Sequence, residues 1–234
     1  MKQIQHFIIE KDIGGNILLI DDRELLFQMH TVLRYRPGDS CVVLDGKGAK
    51  VRALVKEIDK KHATLELSDL EKCKRPVERI RLYCSPSKKP STFELIVQKA
   101  CELGVDEIIP LIGERSQVSE LKKTERLRFI MKEASEQCER CFLPELGACI
   151  TLKDFLSKKP GGEILAGDVR DFDMKLKDVE KAATVNILIG PEGGFSKLEL
   201  DAIRKAGGRI FSLGDNVLRM ETAAIAAISV VRFG

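Results

Sequence analysis

The chain lacks any apolar run long enough to cross a bilayer, which argues against a membrane-spanning helix. Its opening stretch, Met1-Lys2-Gln3-Ile4-Gln5-His6, lacks the pattern of a secretory signal. Together these predict a soluble, cytoplasmic protein with no membrane contact. A surplus of one charge is also missing: 39 Lys and Arg face 36 Asp and Glu, a net of +3. That balance is compatible with nucleic-acid binding without demanding it, so any RNA contact has to use local basic patches. The seven cysteines are odd in number and scattered through apolar segments, which predicts reduced core residues and not a disulfide framework. Cys138-Glu139-Arg140-Cys141 is a C-x-x-C, but a structural zinc takes four ligands and no second pair lies at a usual spacing. The motif reads as core packing, and no metal is expected.

What the chain does have is enough length, 234 residues, for one large domain or two small ones with a real core. Residues 1–74 read as a small, mostly β module. Phe7-Ile8-Ile9, Ile17 to Ile20, Cys41 to Leu44, Val51 to Ile58 and Ala63 to Leu67 are strand candidates separated by glycine turns, the pattern of a small barrel. Asp22 to Arg34 is the helical exception, with Leu25, Leu26, Met29, Val32 and Leu33 on one face. Residues 75–234 read as an α/β domain with a largely parallel sheet, the boundary falling in the charged stretch around Pro76. Arg79 to Cys84 is its first strand, and a helix capped by Ser91 and Glu94 follows, stopped at Gly104. Asp106 to Ile112 is a strand. A helix from Thr124 to Cys141 sets Glu133, Gln137 and Arg140 along a polar stripe. Glu163 to Gly167 is a further strand.

The segment from Asn186 to Val231 organises the rest. A short apolar run ending at Ile189 breaks into Gly190-Pro191-Glu192-Gly193-Gly194-Phe195. Ser196 and Glu199 then form a capping box for a helix that reaches Gly207-Gly208. A second β-like run, Arg209 to Leu213, breaks at Gly214-Asp215-Asn216 and leads to Val217-Leu218-Arg219-Met220-Glu221-Thr222. Ala223 to Val231 closes the segment as a helix apolar on nearly every side, hence buried. Two strand-to-glycine breaks one βαβ unit apart place both loops at one carboxyl edge of a parallel sheet, where α/β proteins bind ligands.

These motifs resemble the cofactor-binding end of the SPOUT RNA methyltransferases, and within them most closely the RsmE family, which methylates N3 of a uridine in 16S ribosomal RNA. Gln98-Lys99-Ala100-Cys101-Glu102-Leu103-Gly104-Val105, Glu133 to Arg140, and His30 to Arg34 with Pro37-Gly38-Asp39 match the family in order. The resemblance implies a SPOUT domain with a C-terminal trefoil knot behind a PUA-like RNA-binding barrel, S-adenosyl-L-methionine as cofactor, ribosomal RNA of the small subunit as substrate, and a homodimer.

The cofactor candidates are Ala166, Gly167, Gly190, Pro191, Glu192, Gly193, Leu213, Gly214, Val217, Leu218, Arg219 and Ala223. Glycines there let backbone approach a ligand closely. Arg219, Glu221 and Thr222 are the catalytic candidates. Uracil N3 carries a proton at neutral pH, so a base must take it or cations must stabilise the ring anion. Arg219 and Glu221 read equally well as an ion pair closing the loop onto the last helix. The family usually has threonine where Met220 stands, so a hydroxyl contact there is lost. Arg34, Arg36, Lys88, Lys89, Arg115, Gln137 and Arg140 are the RNA-contact candidates. By spacing alone the charges of the β module read as a solvated rim, and the resemblance turns them into a phosphate-contacting face. The alternatives are a SPOUT enzyme acting on a ribose 2′-oxygen or a guanine, and a non-catalytic RNA-binding protein.

Overall fold

The structure is a computed structural model that describes residues 4–180 and 182–234. Met1-Lys2-Gln3, half of the stretch considered above as a signal, lie outside the described residues. Two compact units divide the chain. The first holds the described residues up to Arg75 together with Ser135–Leu143, and the second holds Pro76–Ala134 and Pro144–Gly234.

In the first unit five strands pair in the order β1-β3-β4-β5-β2, with β1 at His6–Ile8, β2 at Ile17–Ile20, β3 at Ser40–Leu44, β4 at Ala49–Ile58 and β5 at Ala63–Lys72. All pairings are antiparallel except β1 with β3. Alternating side chains bury Leu18, Ile20, Val51, Ala53, Val55, Ala63 and Leu65 in one cluster with Phe7 and Met29. The expected helix starts as read, Asp22 capping Leu25 N–H at 2.7 Å. It is α-helical only over Arg23–Leu26 (α1) and then widens to π-helical turns over Phe27–Val32.

Ser135–Leu143 packs onto this unit through several independent contacts. Glu136 Oε1 accepts the Ile8 N–H at 2.7 Å. Leu143 N–H donates to Gly46 O at 2.8 Å. The Phe142 ring lies against Gly48, with the Arg75 guanidinium 5.0 Å from its centroid. Cys141 forms a disulfide with Cys73 at a Cα separation of 6.3 Å, within the reach of such a bond. Reading all seven cysteines as reduced core residues is therefore corrected. Cys41, Cys84 and Cys101 are buried, but Cys138 is half-buried and Cys149 exposed.

The second unit is built on an eight-stranded sheet in the order β11-β13-β10-β12-β6-β7-β8, with β9 also on β7. Its strands are β6 Arg79–Cys84, β7 Glu107–Ile112, β8 Glu145–Leu146, β9 Ile150–Thr151, β10 Glu163–Gly167, β11 Met174–Lys175, β12 Thr184–Ile189 and β13 Arg209–Ser212. Every pairing is parallel. The central strands bury most of their apolar side chains, among them Leu82 of β6, Ile108 and Leu111 of β7 and Ile187 and Leu188 of β12. The helices are α2 Pro90–Glu102, α3 Thr124–Gln137, α4 Leu152–Ser157, α5 Lys197–Lys205 and α6 Met220–Phe233.

Three local readings change. Helix α2 starts two residues earlier than a Ser91 cap would place it: Pro90 takes the first helical position and Lys89 becomes the N-cap without a side-chain bond, because the fixed φ of proline suits that position. Helix α3 stops at Gln137, and Glu139 adopts φ of 60°. Arg140 therefore leaves the helix, and the proposed stripe with Glu133 and Gln137 is broken. Helix α6 buries Met220, Ala224, Ala227 and Ile228 against its surroundings while its other faces are half-covered. It is not buried on every side; it packs most on α2, and equally on β12 and on the 3-10 turn Leu176–Asp178.

Candidate active site

Parallel pairing fixes where the loops go. Ala166 of β10 stands beside Leu188 of β12 and Ile210 of β13. All three strands therefore release their chains at the same edge, which is where the breaks at Gly167, Gly190 and Leu213 lie.

After β12 the chain turns at once. Gly194 N–H donates to Pro191 O at 2.8 Å, and Gly194 takes φ of 67°, which suits a residue without Cβ. Phe195 is buried and anchors the turn. Ser196 then caps α5 in a full capping box, its Oγ accepting from Glu199 N–H at 3.2 Å while Glu199 Oε2 accepts from Ser196 N–H at 2.8 Å. Two side chains from other strand ends reach this turn. Ser87 Oγ, after β6, donates to Glu192 Oε1 at 2.8 Å. Arg115 Nη1, after β7, donates to Gly193 O at 2.8 Å and to Phe195 O at 3.3 Å.

The loop after β10 is braced by carboxylates. Asp168 Oδ1 accepts the N–H groups of Arg170 and Asp171, and Asp173 Oδ2 accepts that of Ile210 at 2.9 Å. Arg204 of α5 donates to both Asp171 and Asp173, at 2.7 and 2.9 Å. Its guanidinium holds the Asp171 carboxyl below the usual carboxylate range. After β13, Ser212 Oγ donates to Gly214 O at 2.7 Å, and the chain runs exposed to Arg219, the N-cap of α6.

These loops enclose a cavity of about 780 Å³, a size that suits a small-molecule ligand. Of the sequence-derived candidates it is lined by Gly167, Gly190, Pro191, Glu192, Gly193, Leu213, Val217, Leu218, Arg219, Glu221 and Ala223, and also by Lys89 and Arg115. Ala166 is fully buried in the sheet, and Gly214, Thr222 and Lys88 do not line the cavity. Arg34, Arg36, Gln137 and Arg140 belong to the first unit. Among the described residues Arg219 and Glu221 form no ion pair with each other, and both line the cavity, Glu221 half-buried in the first turn of α6. Met220 is buried and lines it too. Cys84, fully buried at the end of β6, has its thiol pushed up by burial and further by the Glu192 charge, so it is an inert packing group.

Sequence reading missed Ser87, Thr92, Asp168, Arg170, Lys197, Phe211 and Asn216, which also line the cavity. The carboxyl-edge rule, applied to β6 and followed past Gly167, would have reached Ser87 and Asp168. Lys197 and Phe211 carry no such signal.

Residues 73–232 match the family model described as the RNA methyltransferase domain, and residues 29–68 match the RNA methyltransferase PUA domain. A ribosomal RNA small subunit methyltransferase E from Aquifex aeolicus is 31% identical over 97% of this chain and 98% of its own length. The chain belongs to the ribosomal RNA small subunit methyltransferase E family. Solved structures agree in fold. A family member from Neisseria gonorrhoeae, crystallised bound to S-adenosyl methionine, superposes with a TM-score of 0.86 at 28% identity, covering 97% of this chain and 96% of that one. A putative methyltransferase from Legionella pneumophila in complex with the same cofactor gives 0.86 at 30% identity, covering 99% and 97%. The RNA methyltransferase model of the family contains the whole of the cavity lining, and its PUA model lies within the first unit.

Proposed function

We propose that this protein uses S-adenosylmethionine to methylate N3 of a uridine in small-subunit (16S) ribosomal RNA. The cavity bounded by the ends of β10, β12 and β13 carries this reading. It joins glycine backbone that a ligand can approach closely to an apolar wall of Ile189, Phe211, Leu213 and Leu218, the mixture that suits an adenosine and an amino-acid tail. The bound cofactor would supply a methyl group on a positively charged sulfur. The chain has to hold the uridine in line with it and to manage one proton.

Backbone at Gly190 to Gly193, Leu213 and Leu218 holds the cofactor, with Gly167 and Ala223 alongside. Ala166 and Gly214 support this wall from behind. Transfer forms the N3–CH3 bond, breaks the S–CH3 bond and releases the N3 proton. Glu221 is the acceptor for that proton, and Arg219, exposed beside it, stabilises negative charge on the uracil oxygens. Thr222 follows them on the first turn of α6 and offers a hydroxyl to the RNA. Lys88 and Lys89 take phosphate, and Arg34, Arg36, Gln137 and Arg140 form the RNA-contacting part of the first unit. The same reading includes the domain division near residue 75, a C-terminal trefoil knot, a homodimer and a cytoplasmic location. The incompletely covered apolar surface of α6, with Phe233 72% exposed, supports the dimer.

The test is to incubate the protein and labelled S-adenosylmethionine with small ribosomal subunits lacking the modification, digest the RNA and identify the labelled nucleoside. Recovery of 3-methyluridine is expected. Label in a 2′-O-methylated nucleoside or a methylguanosine would overturn the assigned atom, and no label despite cofactor binding would overturn the substrate.

A further inference from the structure

We propose that Arg115, beyond the end of β7 two strands away from β12, and Glu199, on the helix that follows the turn, are positioning residues that brace the cofactor-binding turn, an inference that rests on the S-adenosylmethionine reading of the cavity. Residues 113–116 follow β7 and are fixed from below. Gly113 N–H donates to Ser116 Oγ at 2.8 Å, Ser116 Oγ meets Ser85 Oγ at 2.9 Å, and Ser85 Oγ donates to Leu111 O at 2.8 Å. Ser85 is fully buried, so its bond to Leu111 O is shielded from water, while the links through Ser116 are part-buried.

From that platform two contacts cross to the glycine turn in opposite senses. Arg115 donates through Nη1 to the carbonyls of Gly193 and Phe195. Glu199 returns the link, Oε1 accepting the Glu114 N–H at 2.7 Å. Its other oxygen is already spent on Ser196 N–H inside the capping box. Both carboxylate oxygens therefore serve backbone donors. A glutamine could supply only one acceptor and would turn an NH2 group toward an N–H. The fit is close: a Cβ at Gly113 would stand 2.7 Å from Glu199 Oε1, so the carboxylate would have to shift to admit it.

The consequence concerns which ligand Arg115 serves. Read from sequence it is an RNA contact. In the structure its guanidinium satisfies two carbonyls of the turn whose other groups line the cavity. Charge-assisted bonds of this kind are about twice as strong as neutral ones, so their loss should let the Gly190–Phe195 turn relax before cofactor arrives. Ordering it again on binding weakens cofactor affinity and leaves the RNA-bound steps alone.

Arg115→Met keeps the aliphatic stem against Gly193 and removes the donors, Arg115→Lys restores one cationic donor, and Glu199→Gln removes one acceptor. S-adenosylhomocysteine is titrated calorimetrically into each protein without RNA, and methylation kinetics are run on unmodified small subunits. We expect about tenfold weaker product binding and a matching rise in KM for S-adenosylmethionine in Arg115→Met and Glu199→Gln. Partial recovery is expected in Arg115→Lys, with kcat and the KM for subunits within about twofold of the parent. The double variant should be no worse than the poorer single, because the two contacts brace one turn. A raised KM for subunits with unchanged product affinity would overturn the proposal in favour of an RNA contact. Unchanged parameters throughout would show that the brace is idle. Failure of the parent protein itself to bind S-adenosylhomocysteine would instead overturn the cofactor reading. If Arg115→Met does not fold, the comparison of Arg115→Lys with Glu199→Gln decides the same question.

Discussion

Three glycines, Gly190 in the cavity wall, Gly214 in the loop after β13 and Gly161 before β10 at the other edge of the sheet, separate two physical demands that a sequence motif merges. At Gly190 an added Cβ would meet the Phe195 ring at 3.2 Å and the Phe195 backbone nitrogen at 3.3 Å. Phe195 is 3% exposed and its backbone is held in the turn, so neither neighbour can withdraw freely. Gly190→Ala is therefore an overpacking substitution, worth about 1–3 kcal/mol. At Gly214 nothing lies within 4 Å of the new carbon, but φ is 145°, a conformation that side chains rarely adopt. There the cost is backbone strain, about 1–3 kcal/mol. Gly161 has open space and no such φ, so Gly161→Ala should be neutral or stabilising by up to about 1 kcal/mol through the unfolded chain. For a protein of this length 1 kcal/mol moves Tm by about 2–4 °C. Thermal unfolding of the three variants should thus give two clear losses and one null or gain. Gly190→Ala should also weaken S-adenosylhomocysteine binding, because it distorts the turn that lines the cavity, whereas Gly161→Ala, away from that lining, should not. A Gly190→Ala protein with the parent's Tm and affinity would refute the steric reasoning, and a loss at Gly161 equal to the others would refute the distinction between them.

Glu221→Gln removes the proposed proton acceptor, so kcat should fall by about 10²–10⁴-fold while S-adenosylhomocysteine affinity stays near the parent value; an unchanged kcat would remove Glu221 from the mechanism. Alkylation of the denatured protein without reductant should label the five free cysteines and spare Cys73 and Cys141, and seven adducts by mass spectrometry would contradict the pairing. Burial lowers the His6 pKa below its ordinary 6.5, outweighing the opposing pull of Glu139, and Lys50 adds to the lowering. The unfolded chain then binds more protons just below pH 6.5, so the contribution to stability is full above that value and is lost as pH falls toward the folded pKa. Urea midpoints should drop between pH 7.5 and 5.5 more in the parent than in His6→Gln, and parallel drops would place the titration elsewhere.

Local rules carried much of the site. The capping box at Ser196 and Glu199 needs only residues three apart, and the glycine turn after Ile189 needs only backbone freedom, so both were legible as written. Helix α2 shows where local rules compete. Ser91 and Glu94 spell a capping box, but Pro90 fits the first helical position better and moves the start. Helix α3 shows a rule cut short, since its apolar spacing runs on past Gln137 while the chain turns at Glu139 to pack on the first unit.

The sequence alone determined the parallel α/β organisation of the second unit, the glycine breaks at its strand ends and the family, because each is written in neighbouring residues. Tertiary structure decided which side chains meet there. Arg115 and Gly193 are 78 residues apart, Ser87 and Glu192 are 105 apart, and Cys73 and Cys141 are 68 apart. No local periodicity encodes such separations. They arise when a parallel sheet gathers the carboxyl ends of distant strands at one edge, or when a returning segment packs on an earlier unit, and only then does the exposed Arg115 meet the carbonyls of Gly193 and Phe195.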